Sequence, residues 1–160
     1  MKQKELAAAL KGIVILCLAA GLLLCGVLVP EFGRDIAAGN PNYAFLFLPC
    51  LLFVWLTCVP VLIVLVLVWQ MAGRIGADNS FCNENARALK QICLLACIDI
   101  GLYLLAAVVG FFLLGGLHLF LLVFLFLVLC IGIAIAVVTA ALSHIVQKGA
   151  DMKAEQDLTI

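Results

Sequence analysis

The sequence predicts an all-α integral membrane protein, a four-helix bundle of two antiparallel helical hairpins with N- and C-termini cytoplasmic. Three observations carry that expectation. Of 160 residues, 68% are hydrophobic and 11% charged, whereas water-soluble globular chains run nearer ~45–50% apolar and ~25% charged. The charges are grouped in short polar segments that divide the apolar sequence into four lengths, each able to cross a ~30 Å hydrocarbon core. Eight of the nine Lys and Arg residues fall on the first, third and fifth polar segments, the asymmetry that sets orientation in a bilayer.

Residues 1–11 carry Lys2, Lys4, Glu5 and Lys11 ahead of an apolar run over 12–29. Signal peptides share that order, but no small-x-small cleavage site follows, and Leu22, Leu23 and Leu24 before Cys25 do not suit a lipoprotein site. The run is expected to be an uncleaved first span ended by Pro30. Residues 30–43, rich in Pro, Gly and Asn, read as a loop, with Glu31, Arg34 and Asp35 as a small exposed ion cluster of little energetic weight.

The second span covers about 44–72. Pro49 and Pro60 inside it remove backbone donors, so kinks are expected. Trp55 lies at mid-depth, and Trp69 with Gln70 suits an anchor at the inner interface. Residues 73–89 form a cytoplasmic loop in which Gly73 and Gly76 end the second helix. Asp78, Asn79 and Ser80 offer N-cap oxygens to the next helix, and Glu84 stands in its first turn, where the helix dipole favours an acid. Phe81 then lies on the membrane surface, and Arg87 and Lys90 reach the headgroups.

From Ile92 to Val146 the chain is apolar for about 55 residues, too long for one span at ~1.5 Å per residue. The only break is Gly115-Gly116-Leu117-His118, so spans over about 90–114 and 118–146 must form a tight hairpin. The tail, 147–160, is polar. The whole chain is expected to be a single, multi-pass membrane domain whose basic segments remain on the cytoplasmic side.

Few residues can carry chemistry. Asp99 is the one carboxylate in the third span, roughly 12 Å in by helix rise, and a charged Asp at a helix centre costs ~2.5–3.5 kcal/mol on insertion scales. Its face holds Ala96, Tyr103, Ala106 and Gly110; the fourth span offers Gly132, Ala136, Thr139, Ala140 and Ser143. Asp99 is therefore expected to hydrogen-bond Thr139, Ser143 or Tyr103, either as interhelical polar glue or as a proton or cation site. His144 and His118 are interfacial polar residues. All eight cysteines except Cys82 lie in apolar runs and read as packing residues; Cys93 and Cys97 are one turn apart, and Cys25 and Cys50 lie at similar depth. No nucleophile–base set, metal signature or phosphate loop is present, so no enzyme, cofactor or metal site is expected. Zero net charge gives no basic surface for direct nucleic-acid contact.

The pattern of the whole chain resembles the YoaS-like bacterial family, four-span membrane proteins known as a domain of unknown function. The resemblance rests on Met-Lys-Gln-Lys-Glu-Leu at the start and Gly-Arg-Asp-Ile-Ala-Ala-Gly-Asn-Pro in the first loop. It rests also on Ile-Gly-Ala-Asp-Asn-Ser-Phe-Cys-Asn-Glu-Asn-Ala-Arg-Ala-Leu-Lys in the second, and on Ala-Ala-Leu-Ser-His and the closing Asp-Leu-Thr-Ile. It implies no catalytic residue or cofactor. It does imply a membrane partner for a small cytosolic helix-turn-helix DNA-binding regulator. Docking surfaces for that regulator are then Asn79, Phe81, Asn85 and Arg87 in the second loop, and Asp157, Leu158, Thr159 and Ile160 in the tail. The function expected is that of a non-catalytic interaction or regulatory protein in the lipid bilayer; the alternative is a small homo-oligomeric transporter or ion-coupled channel using Asp99.

Overall fold

A computed structural model describes residues 3–39, 41–114 and 119–157. The element order is α1 (Gln3–Leu23), a π-helical turn (Leu24–Leu28), α2 (Val29–Gly39), a 3-10 turn (Pro41–Leu46), α3 (Phe47–Gly76), α4 (Asn83–Leu114) and α5 (Leu119–Asp157). No strand occurs among the described residues. Four stretches are long and apolar enough to cross a membrane: Gln3–Gly39, Ala44–Gly76, Asn83–Leu113 and Leu122–Gln156. In each, at most 6% of the apolar window is buried by the protein itself. Apolar surface of that extent is stable only against lipid or another apolar partner. The helices pack in chain order, α1 on α3, α3 on α4 and α4 on α5, and among the described residues α1 and α5 make no close backbone contact.

Residues 30–39, expected in a loop, are helical. Pro30 explains how. Its ring removes an N–H and would crowd the carbonyl of the preceding turn in a regular α-helix. The chain avoids this by widening to a π turn just before it, where the Val29 N–H reaches back five residues to the Leu24 carbonyl. In the same pattern the next acceptor, the Cys25 carbonyl, would be left without its donor, and Trp55 Nε1–H supplies one from α3 at 3.3 Å. Helix-breaking residues persist in membrane helices where a neighbour satisfies the freed group in this way. Of the two prolines of α3, one differs from expectation. Pro49 falls in the first helical turn, where a missing N–H costs little; only Pro60 is interior, and it is buried. The polar tail is helical as well, since α5 runs to Asp157.

Glycine sets two of the closest helix approaches. A β-carbon at Gly132 on α5 would stand 2.7 Å from Ile100 Cγ1 on α4, and one at Gly76 on α3 would stand 3.1 Å from Ala7 Cβ on α1. Such small-residue contacts bring helix backbones together where no water-driven force operates. Replacing Gly132 with Leu is expected to destabilise the α4–α5 hairpin by about 1–3 kcal/mol, the range for overpacking. Thermal unfolding of the detergent-solubilised protein measures it, with Gly12→Leu, a position with open space around it, as the reference.

Candidate functional site at the polar end of the helices

The tightest packing lies not in mid-membrane but around the turn between α3 and α4. Ala72, Cys82, Asn85, Ala86, Ala88, Leu89, Ile92, Ser143 and Ala150 are all buried there. The α3 terminus is closed by two reversed hydrogen bonds, from the Asp78 N–H to the Ile75 carbonyl at 3.1 Å and from the Asn79 N–H to the Arg74 carbonyl at 3.0 Å. This is the double capping pattern that requires a left-handed residue just past the helix. Asp78 takes that place, with φ 63°. The expected terminators Gly73 and Gly76 are inside α3 instead. Neither Asp78, Asn79 nor Ser80 caps α4 with its side chain; the Cys82 carbonyl accepts the first N–H groups, those of Asn85 and Ala86, at 3.1 and 3.2 Å.

Asn85 holds this turn together. It is 1% exposed. Its Nδ2 donates to the Ser80 carbonyl at 3.0 Å, and its Oδ1 accepts from Arg74 Nη1 at 3.3 Å. Ser80 Oγ donates to Gln3 Oε1 at 3.3 Å, which ties in the start of α1. Gln147 Nε2 donates to Asn83 Oδ1 at 2.7 Å, which ties in α5, and also reaches Asp151 Oδ1 at 3.3 Å. Phe81 packs its ring against Gly149 while staying half exposed. Helices α1, α3, α4 and α5 thus meet around one turn. Glu84, fully exposed, has its carboxyl held below the usual range by its own backbone N–H first and then by the Cys82 thiol. An acid lowered in the folded state adds stability above its unfolded pKa and loses it as pH falls through the folded one.

Of the residues expected to dock a partner, Asn79, Phe81 and Arg87 are exposed on this end. Asn85 is not available, because its amide is consumed inside the turn. The α5 helix carries Asp157; Leu158, Thr159, Ile160 and also His118 lie outside the described residues.

Deeper in the helices, the expected polar cluster is not assembled. Asp99 Oδ1 is buried and has no hydrogen-bond partner. Thr139 Oγ1 donates to the carbonyls of its own helix at Ile135 and Ala136, 2.7 and 3.2 Å away, and Ser143 Oγ donates to Ala140 at 2.8 Å. Tyr103 sets its ring edge-on to Phe53, with centroids 5.3 Å apart. The register explains the difference. Asn83 faces Gln147 and Ile100 faces Gly132, so Thr139 comes level with Ile92 or Cys93. It stands roughly 10 Å from Asp99 along the axis by helix rise. At that separation the two side chains cannot meet, and the bonds of the polar turn hold α4 and α5 in this pairing.

Two features were missed from sequence. Cys25 pairs with Cys58, not Cys50, the sulfurs 2.9 Å apart. Lys11 Nζ sits 5.2 Å above the Trp69 ring, a cation–π contact that places both at one depth. Only the Arg34–Glu31 pair of the expected ion cluster forms, at 3.2 Å and exposed.

With this geometry in view, comparison with known proteins is informative. The protein family described as "Protein of unknown function (DUF2975)" matches residues 31–160. The chain belongs to this family. It is also similar to the "Uncharacterized membrane protein YoaS" of Bacillus subtilis (strain 168), at 27% identity over 145 residues, 87% of this chain and 88% of that protein. No solved structure matches. The chain is thus a multi-pass membrane protein of an uncharacterised family, and no catalytic family is indicated.

Replacing Asn85 with Ala leaves the Ser80 carbonyl and the Arg74 guanidinium without a partner, and an unsatisfied buried polar group costs ~1–3 kcal/mol. The expected outcome is a lower melting temperature in detergent, with protease cleavage appearing at residues 77–82. Exchange of the exposed Asn79 for Ala is expected to shift neither.

Proposed function

We propose that this protein is a non-catalytic interaction protein of the bacterial cytoplasmic membrane. Its termini and the α3–α4 turn lie on the cytoplasmic side, and the turn docks a small cytosolic helix-turn-helix regulator. The observation that carries the reading is the folded polar end, where hydrogen bonds join α1, α3, α4 and α5 around one turn that still presents Asn79, Phe81 and Arg87 outward. A rigid platform lowers the ordering cost of binding, and aromatic and arginine side chains, here Phe81 and Arg87 exposed on one end, are the residue types enriched at binding hot spots. The basic residues of this end, Arg74, Arg87, Lys90, Lys4 and Lys148, favour retention on the inner side. The resemblance to the YoaS-like family supplies the class of partner.

The chain in detergent, mixed with purified small helix-turn-helix regulators of the same bacterium, tests this reading. The expected result is a complex weakened at least tenfold by Phe81→Ser combined with Arg87→Glu, and unchanged by Thr139→Ala. Equal binding by all three proteins discards the docking surface.

A second reading rests on the buried, unpartnered Asp99 Oδ1. Intramembrane carboxylates mark proton and ion paths, and an oligomer would be needed to enclose one. Proteoliposomes containing the protein are expected to show a proton or cation flux abolished by Asp99→Asn under this reading, and no flux at all under the first.

A further inference from the structure

Cys25 on the π-helical turn and Cys58 on α3 are separated by 33 residues in sequence, and their sulfurs are 2.9 Å apart. Both are free thiols and both are half-buried. A disulfide needs the sulfurs at ~2.05 Å, so only a small side-chain adjustment separates the pair from a bond. The approach is built by the chain. Pro30 imposes the π turn that carries Cys25, and the Trp55 indole, one turn before Cys58, is hydrogen-bonded to the carbonyl of Cys25 itself at 3.3 Å. Single π turns of this kind recur at functional sites.

The depth of the pair decides which reagent reaches it. Lys11 and Trp69 mark one level of the α1–α3 hairpin, and Cys25 and Cys58 lie roughly 21 Å and 16 Å beyond it by helix rise. With Lys11 at the interface, this puts the thiols inside a ~30 Å hydrocarbon core. Leu22, Leu24, Val27 and Leu56 around them are exposed, so the approach is from lipid. Water-soluble oxidants act on thiolates, which an apolar setting disfavours.

We propose that Cys25 and Cys58 form a redox-reactive dithiol site, oxidised by a lipid-soluble two-electron oxidant of the quinone class. Two S–H bonds break and one S–S bond forms between the helices, while two electrons and two protons reduce the quinone to its hydroquinone. The product fastens the first two spans together at the π turn.

The test uses the full-length protein in liposomes with and without a short-chain ubiquinone analogue. The liposomes are then dissolved in denaturing SDS, free thiols are trapped with N-ethylmaleimide, and intact mass and peptide mapping read the result. The expected outcome is loss of alkylation at Cys25 and Cys58 alone, with one cross-linked peptide joining them. Cys58→Ser restores alkylation at Cys25, and Cys50→Ser changes nothing. Unreduced alkylation of both cysteines in quinone liposomes, or a cross-link from Cys25 to Cys50, overturns the proposal. So does a bridge formed with aqueous diamide but not with the quinone. Mapping the unaltered protein decides the question even where a serine variant fails to fold.

Discussion

The arrangement of the helices depends on one buried amide. Asn85 bonds the Ser80 carbonyl and the Arg74 guanidinium from a position sealed from solvent, and through Ser80 and Asn83 its surroundings connect to Gln3 and Gln147. In lipid the apolar faces gain little by touching one another, since hydrocarbon chains solvate them as well as neighbouring side chains do. Specific pairing must come from polar bonds and close contacts. Here the polar bonds are concentrated at one end, and that end sets the register of α4 on α5 for the rest of the hairpin.

That arrangement accounts for the sparse interior of the spans. Large side chains such as Leu16, Phe112, Phe126 and Val137 are more exposed than not, because the bilayer is their solvent. Contacts that do form rely on shape: Ile100 fills the space over Gly132 and Ala7 approaches Gly76. Hydroxyls that sequence reading would spend on interhelical bonds are turned back to their own helix, as at Thr57, Thr139 and Ser143. A Ser or Thr in a helix always has the preceding turn's carbonyl within reach, and that local bond needs no partner helix.

The first hairpin solves a different problem. Pro30 would interrupt a regular helix, and the π turn and the Trp55 indole together absorb the interruption. The polar turn on one side of the molecule and the thiol pair deep between α1 and α3 are therefore independent features. One rests on amide bonding among polar side chains, the other on the geometry a proline imposes.

The sequence by itself determined the all-helical class, the four apolar lengths and the place of the polar turn. Hydropathy and the grouping of charge are local properties, and a backbone in hydrocarbon must bond itself as helix or closed barrel. Sequence also singled out Asn79, Phe81, Asn85 and Arg87 as a distinctive segment. Only the tertiary structure decided that Asn85 faces inward while Phe81 and Arg87 face out. It also decided that Asp78 rather than a glycine closes α3, that Cys25 meets Cys58, and that Asp99 and Thr139 lie at different depths. Each of these depends on helix register, and register is a relation between residues tens of positions apart, which no spacing within one helix encodes.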